Sequence, residues 1–176
     1  MNEVFELGIR FFPFLKLNNK HLIKVFKKYV NENKCCLKYP KCPHPKEQSA
    51  GDALDINDKE VNKLKNYYFK SLNILFGNFN IVKHSSWILY VEKENNTPAV
   101  WHDHYQKEYD KNKQISGICY LTNTKYGTEF NTKYFKGEFV PKQHHWYLWE
   151  SSLEHRPKKF YTKESRMIIA TYTIIK

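Results

Sequence analysis

The chain is poor in arginine although it carries a large positive charge. Only Arg10, Arg156 and Arg166 are arginine among its 29 basic residues, and 18 acidic residues leave a net charge of +11. Proteins that read nucleic-acid sequence depend on arginine for bidentate contacts. The charge therefore indicates a lysine-rich, solvated surface. A nucleic-acid partner is possible but is not favoured.

The sequence also lacks long apolar runs. Its longest stretches, such as residues 167–170, have the length of a strand and fall far short of the roughly 20 residues that span a bilayer. The first residues contain an acidic position and no basic segment ahead of the apolar stretch. A membrane-spanning protein is therefore excluded, no membrane partner is expected, and a secretory signal is not expected either.

Cysteine is scarce, with four residues in 176, so the chain is not a disulfide scaffold. Three cysteines and a histidine occupy a proline-rich stretch whose spacing fits no standard zinc motif: Cys35, Cys36, Cys42 and His44. Cys119 lies in an apolar run and is expected to be a small core residue. This cysteine usage favours a reducing compartment, which predicts a cytoplasmic protein.

Large apolar side chains, in contrast, are plentiful. Hydrophobic residues make up 41% of the 176 residues and aromatic residues make up 16%, which is enough to fill one core. The whole chain, 1–176, is therefore expected to form a single domain. Residues 1–79 would supply a strand and supporting helices, and residues 80–176 would supply a β-rich core that carries the functional site.

Helical periodicity is confined to the first half of the chain. After a cap at Asn18 or Asn19, apolar residues recur at helical spacing: Leu22, Ile23, Phe26, Tyr29 and Val30. A second helix is predicted over residues 55–77, with a capping box from Asn57 to Glu60 and an end at Gly77. Residues 31–51 are predicted to form a loop.

From residue 80 onward the periodicity changes to two. Strands are predicted over residues 86–92, 99–104, 114–122, 127–131, 145–150 and 166–175. Short strands separated by turns are typical of an antiparallel sandwich or barrel. Two helices ahead of an all-β body predict the α+β class.

His102 and His104 are the first candidates for a functional site. Residues two apart on a strand point to one face about 6.6 Å apart, so both imidazoles can reach one metal ion. Asp103 would point away unless the strand ends there. His155, just beyond an apolar strand, is the best candidate for a third ligand. Three ligands on one face leave open positions, as in non-haem iron oxygenases, although an H-x-H pair alone is a weak indication.

The surrounding segments make a more specific pattern. The stretches VWHDHY, ISGICYL, YGTEF, WYLWESSLEHRP and ESRMIIATYTI follow one another within residues 86–175. In this order and content the chain resembles the 2-oxoglutarate- and Fe(II)-dependent oxygenases, in particular their prolyl-hydroxylase-like and phage or bacterial branches. The resemblance implies a double-stranded β-helix, which is a jelly-roll or cupin-like barrel, with N-terminal helices packed against it.

The same resemblance assigns roles to individual residues. The metal ligands fall on His102, His104 and His155. The arginine that binds the far carboxylate of 2-oxoglutarate falls on Arg166, whose fork suits a carboxylate. Tyr120 matches a tyrosine that hydrogen-bonds this carboxylate, and Tyr90 is a looser match to a pocket tyrosine. The implied cofactors are Fe(II) and 2-oxoglutarate, with room for ascorbate as an accessory.

The implied activity is the oxidation of a substrate, in the simplest case its hydroxylation, with O2 consumed and succinate and CO2 released. The substrate would be a protein side chain or a small molecule. The loops expected to recognise it, residues 107–113 and 133–137, are rich in lysine and tyrosine.

One position departs from the family pattern. The second ligand is normally a carboxylate, whereas the matching residue here is His104. Three neutral histidines make the site one charge unit more positive, which the dianion 2-oxoglutarate can offset. His104 is the first choice for the second ligand, Asp103 through a β-bulge is the second, and an impaired site is the third.

Two other functions stay open. One is a three-histidine non-haem metal dioxygenase that does not use 2-oxoglutarate, for which Arg166 would be dispensable in cofactor binding. The other is a basic nucleic-acid-binding module on a catalytically inactive barrel, whose affinity would fall steeply with salt. The position of Arg166 after His155 favours the 2-oxoglutarate enzyme over both.

Overall fold

The structure is a computed structural model that describes residues 8–33, 48–49, 51–91, 100–132, 136–158 and 165–176. Within these ranges the two α-helices are α1 (Asn19–Glu32) and α2 (Lys59–Phe76). The eight strands are β1 (Arg10–Pro13), β2 (Ile81–Val91), β3 (Lys113–Tyr120), β4 (Thr128–Asn131), β5 (Lys136–Glu138), β6 (His145–Glu150), β7 (Glu154–Pro157) and β8 (Arg166–Ile175). Short 3-10 turns span Ala53–Asp55 and Lys107–Tyr109.

The strands form two antiparallel sheets. The large sheet has five strands in the order β1-β6-β3-β8-β2, and the small sheet has three strands in the order β5-β4-β7. In the described part of the chain each sheet is hydrogen-bonded separately, so the strands do not close into one continuous ladder. Together with the helices, the two sheets confirm the predicted α+β class.

The large sheet is buried on both faces. Along its central strands, neighbouring side chains alternate between two apolar clusters. The cluster on the helix side includes Ile88, Cys119 and Trp146. The cluster between the sheets, called here the inner cluster, includes Leu89, Tyr120, Phe130 and Tyr147. Because Phe130 comes from the small sheet, the inner cluster shows that the two sheets pack face to face. Cys119 is a buried core residue, as predicted.

Both helices begin at side-chain caps. Asn18 caps α1 by accepting a hydrogen bond from a backbone N–H of the first turn, as predicted. The cap of α2 is Asp58, whose carboxylate accepts from two backbone N–H groups at 2.8 and 3.2 Å, so the predicted cap at Asn57 and start at residue 55 are wrong. Gly77 ends α2 at a φ of 69°, as predicted. Among the described helices, none is both long and apolar enough to cross a membrane.

The strand predictions are confirmed where the alternation is long. β6 and β8 have the predicted bounds, and β2 starts at Ile81 instead of residue 86. The predicted strand at residues 99–104 is wrong, because in its described part only His102 forms a β-bridge. A strand is expected within residues 1–79 without stated bounds, which is where β1 lies, whereas β5 and β7 are not predicted. Strands of three or four residues are too short to reveal a period of two. The cysteine-rich stretch of residues 35–44 lies outside the described residues.

Gly117 allows α2 to pack closely on the large sheet. A Cβ at this position would lie 2.5 Å from Thr171 Oγ1, 2.8 Å from Leu148 Cδ2 and 3.1 Å from Tyr68 Cε2. Because these atoms belong to three different elements, no single side chain can move away to make room. We expect Gly117→Ala to lower the free energy of unfolding by about 1–3 kcal/mol, measured by urea denaturation. An unchanged urea midpoint would contradict this packing.

His84 makes stability depend on pH. It is largely buried on the helix side of the large sheet, with Nδ1 2.8 Å from Thr173 Oγ1. Burial lowers its pKa below the ordinary value, so the unfolded chain takes up this proton first as the pH falls. This contribution to stability is complete above about pH 6.5 and is lost below it, by at most about 1.4 kcal/mol per pH unit. Urea denaturation across this range should show a flatter profile for His84→Gln than for the wild type, and identical profiles would be inconsistent with this account.

Candidate metal centre

A backbone bridge places His102 opposite His155 at the edge of the small sheet. His102 N donates to His155 O at 3.1 Å, and His155 N donates to His102 O at 2.8 Å. Residues that pair in this way on antiparallel segments carry their side chains on the same face. β7 therefore presents His155, and the adjacent segment presents His102, to the interior between the sheets.

His104 joins them from the same segment. Its backbone N donates to Ser151 O at 2.9 Å, which ties the segment to the turn after β6, and the spacing of two returns its side chain to the face of His102. One ligand nitrogen from each histidine lies within 4.8 Å of the other two. The ring centroids are 4.6–5.1 Å apart. The structure thus brings the three predicted ligands together in a group that could hold one metal ion.

Backbone carbonyls orient two of the imidazoles. His102 Nδ1 is 3.0 Å from Val100 O, and His155 Nδ1 is 2.9 Å from Leu153 O. A carbonyl oxygen can only accept, so each Nδ1 must carry the proton and donate it. In this tautomer the lone pair is on Nε2, which is the arrangement that commonly supports metal-binding histidines.

His155 is the most buried member of the group, with 7% of its surface exposed. Its pKa is lowered to about 4, chiefly because burial disfavours the charged imidazolium. The hydrogen bond to Leu153 O and the charge of Asp103 act in the opposite direction without overcoming burial. The imidazole is therefore neutral at pH 7, which is the form that binds a metal ion.

Asp103 lies outside the histidine group. Its carboxylate is exposed and accepts a hydrogen bond from Tyr105 N at 3.0 Å. This local turn directs the Asp103 side chain away from the face shared by His102 and His104. Within the described residues, the group that could hold a metal is made of His102, His104 and His155.

Aromatic side chains enclose the inner side of the histidines. The ring of Trp87 is 5.4 Å from that of His104, and the ring of Trp149 is 5.1 Å from that of His155. Phe130, on β4 directly opposite His155, is 6.1 Å from it. The group therefore has an apolar wall on the inside and an opening to solvent beside the exposed His102.

Arg166 opens β8 with its side chain turned to the interior. The residue is 3% exposed and shares its face with Ile168 of the inner cluster, two positions on. Its Nη1 donates to Lys158 O at 2.9 Å. Burial lowers the pKa of the guanidinium, and the nearby Tyr120 acts in the opposite direction. A buried guanidinium in this place is well suited to a carboxylate.

Tyr120 lies next to Arg166 at the end of β3, opposite Ile168 on β8. Its hydroxyl is 2.8 Å from Thr128 Oγ1, and burial raises its pKa to about 12, so the phenol keeps its proton. Thr128, buried at the start of β4, is a polar neighbour that the sequence did not single out. It lies in the YGTEF stretch, but nothing in that stretch marks its hydroxyl as turned inward.

The structure does not bring Tyr90 to this site, which corrects its assignment as a pocket tyrosine. Tyr90 belongs to the cluster on the helix side, where Lys27 Nζ lies 4.7 Å from the centre of its ring. Its neighbours Leu89 and Val91 point to the inner cluster instead. Alternation along β2 separates the two faces, and Tyr90 falls on the outer one.

Comparison with known proteins gives matches in structure only. No protein-family model and no curated protein matches the sequence. The nickel complex of the non-haem monooxygenase ThoJ matches with a TM-score of 0.69 and 11% identity, over 99% of this chain and 78% of that one. A prolyl hydroxylase in complex with a hypoxia-inducible-factor peptide, from Trichoplax adhaerens, matches with a TM-score of 0.68 and 13% identity, over 98% and 86%.

A third match is the viral collagen prolyl hydroxylase of Paramecium Bursaria Chlorella virus-1 in its 2-oxoglutarate complex. Its TM-score is 0.54 and its identity 8%, over 95% of both chains. Identities this low speak for the fold alone. At that level the matches confirm the resemblance drawn from the sequence: the chain has the fold of the non-haem iron and 2-oxoglutarate oxygenases of the prolyl-hydroxylase type.

Proposed function

We propose that this protein is an Fe(II)- and 2-oxoglutarate-dependent dioxygenase that hydroxylates its substrate and releases succinate and CO2. Its two facing sheets would be the halves of a double-stranded β-helix. The observation that carries the proposal is the meeting of His102, His104 and His155 on the inner face, with ligand nitrogens within 4.8 Å of one another. Arg166 and Tyr120 support it from the large sheet.

The donor set fits a divalent iron ion. Three imidazoles are suitable ligands for Fe(II), and a three-ligand face leaves positions for 2-oxoglutarate and oxygen. His155 is neutral and oriented before any metal binds, which removes part of the entropic cost of binding. Without a carboxylate ligand the site would carry one more positive charge than a two-histidine, one-carboxylate site. That charge favours a dianionic cosubstrate.

The interior also fits 2-oxoglutarate. Arg166 is a buried cation, and its fork can bind one carboxylate in bidentate fashion. The hydroxyls of Tyr120 and Thr128 share one hydrogen bond on the same inner side, so the second hydroxyl proton of the pair can be donated to that carboxylate. Ile118 and Ile168 of the inner cluster supply apolar walls for the methylene carbons. These side chains would thus match the ligand in charge and in apolar character.

When bound, Fe(II) with 2-oxoglutarate and O2 would supply the oxidising chemistry, placing one oxygen atom in the substrate and the other in succinate. The chain's own contribution is positioning. His102, His104 and His155 hold the metal at one end of the interior, and Arg166 with Tyr120 orients the cosubstrate from the other. Trp87, Trp149 and Phe130 exclude water from the inner side. We propose a peptide side chain as the first substrate class to test, with small molecules second.

A second candidate is a three-histidine metal dioxygenase that does not use 2-oxoglutarate. The all-histidine group, with the Asp103 carboxylate engaged elsewhere, favours it. The two functions differ in what Arg166 does, because only the first one needs it as a carboxylate anchor. Aerobic incubation with Fe(II) and 2-oxoglutarate separates them: the first predicts slow formation of succinate even without substrate, and no succinate above a metal-free control would favour the second.

A further inference from the structure

Three side chains form a row on the outer face of the small sheet, behind the histidines. Arg156 Nε donates to Glu129 Oε2 at 2.6 Å. The guanidinium carbon of Arg156 lies 4.2 Å from the centre of the Trp101 ring. With 35% of the Arg156 side chain and 26% of the Glu129 side chain exposed, the row is partly shielded from water. A guanidinium stacked on an aromatic ring is attracted to it more strongly when partly desolvated.

These three side chains, called here the outer row, are in register with the inward-facing residues beside them, which include the histidines. Glu129 pairs with Arg156 across β4 and β7, and Phe130 pairs with His155. The bridge between His102 and His155 then sets Trp101 opposite Arg156, since antiparallel partners run in opposite directions. Two of the three histidines on the inner face therefore have a member of the outer row as a chain neighbour: Trp101 precedes His102, and Arg156 follows His155.

The register of the Trp101–His104 segment decides which side chains reach the metal. The segment is not part of a regular strand, and its described ties to the small sheet and the turn after β6 are the His102–His155 bridge and the bond from His104 N to Ser151 O. A slip of one residue would turn His102 and His104 outward and Asp103 inward, because the side-chain period of an extended segment is two. These three backbone hydrogen bonds are few for a segment whose register must be exact. Side-chain contacts are therefore needed to fix the register as well.

We infer that Trp101, Arg156 and Glu129 act as a register clamp, a set of positioning residues that hold His102 and His104 toward the metal. This inference rests on the proposed function, because it takes the histidine group to be the metal site. Glu129 fixes the direction of the Arg156 guanidinium, and the guanidinium stacks on Trp101. Trp101 can make this contact only in the register seen here, because a slip of one residue would turn its ring inward. None of the three residues would touch metal, cosubstrate or substrate.

The first test uses metal-free protein and amide hydrogen exchange by NMR. Trp101→Leu and Arg156→Gln should each speed the exchange of the His102, His104 and His155 amides by about 2- to 30-fold, the range expected for losing a cation–π contact. Amides in the β3–β8 ladder should keep their wild-type rates. Trp101→Phe retains a ring and should exchange at close to the wild-type rate.

The second test is titration with Co(II), followed by its visible absorption bands. Both clamp variants should bind Co(II) about 10- to 100-fold more weakly than the wild type, the usual effect of removing an outer support of metal ligands. Lys113→Met is the matched control, because it removes a cation–aromatic contact far from the site, in which Lys113 Nζ lies 4.9 Å from the Phe76 ring centre. It should bind Co(II) like the wild type.

The outcomes separate the clamp from the proposed function. Faster local exchange with weaker Co(II) binding supports both. Wild-type protein that fails to bind Co(II) overturns the metal site, while the exchange rates still decide whether the register is clamped. Exchange in the clamp variants that is unchanged, or faster throughout the β3–β8 ladder as well, overturns the clamp, since the row would then have no local effect.

Discussion

A His155→Ala variant is expected to bind Fe(II) at least about 100-fold more weakly than the wild type. Removing a residue that hydrogen-bonds a metal ligand typically lowers metal affinity by about 10- to 100-fold. Removing a ligand itself must lower the affinity at least as much. His155 is also the buried and pre-oriented member of the group, held by Leu153 O at 2.9 Å. Anaerobic calorimetric titration with Fe(II) measures the change.

The chain offers a matched control for this variant. The imidazole of His145 is also oriented by the carbonyl two residues before it, since its Nδ1 lies 2.8 Å from Gln143 O. His145 lies outside the histidine group. His145→Ala should bind Fe(II) like the wild type. Equal losses in both variants would point to general damage, and tight binding by His155→Ala would show that the metal is held elsewhere.

Arg166→Met is expected to weaken the binding of 2-oxoglutarate to the Fe(II)-loaded protein by about 10- to 100-fold. A hydrogen bond to a charged group contributes about 1.5–3 kcal/mol, and the guanidinium fork can make two such bonds to one carboxylate. The affinity for Fe(II) alone should stay near the wild-type value, because Arg166 is not one of the proposed metal ligands. Anaerobic calorimetry with the metal and then with 2-oxoglutarate resolves the two steps.

Two further variants make this result interpretable. Arg166→Lys keeps the charge but not the fork and should fall between the wild type and Arg166→Met. Arg10→Met, which removes an exposed arginine at the start of β1, should leave 2-oxoglutarate binding unchanged. If Arg166→Met binds 2-oxoglutarate normally, the arginine is structural and the three-histidine dioxygenase without 2-oxoglutarate becomes the better account.

Periodicity predicted the elements in which it persists over many residues. The two helices and the strands β6 and β8 were predictable because an apolar stripe or alternation repeats often enough to be recognised. β1 and β7 have four residues each, and their pairing is decided by the tertiary fold. The residues around His102 are predicted to form a strand, but in their described part they make one bridge, because an alternating sequence does not by itself determine where strand pairing ends.

The histidine group was predictable from the family pattern, whereas the faces of neighbouring strands were not. β2 is buried on both sides, so Leu89 and Tyr90 look equally suited to the interior. Only the packing of the helices shows that Tyr90 is on the outer face. The hydroxyl pair of Tyr120 and Thr128 and the stacking of Arg156 on Trp101 join segments that are far apart in sequence, and no local pattern marks such contacts.

The most direct test of the central claim is an anaerobic titration of the protein with Fe(II) and 2-oxoglutarate, followed by visible absorption. Metal chelated by 2-oxoglutarate gives a weak charge-transfer band. If His102, His104 and His155 hold the iron, the wild type and Asp103→Ala should show this band and His104→Ala should lose it. A band lost only in Asp103→Ala, or wild-type protein that binds Fe(II) without any band, would contradict the three-histidine 2-oxoglutarate site.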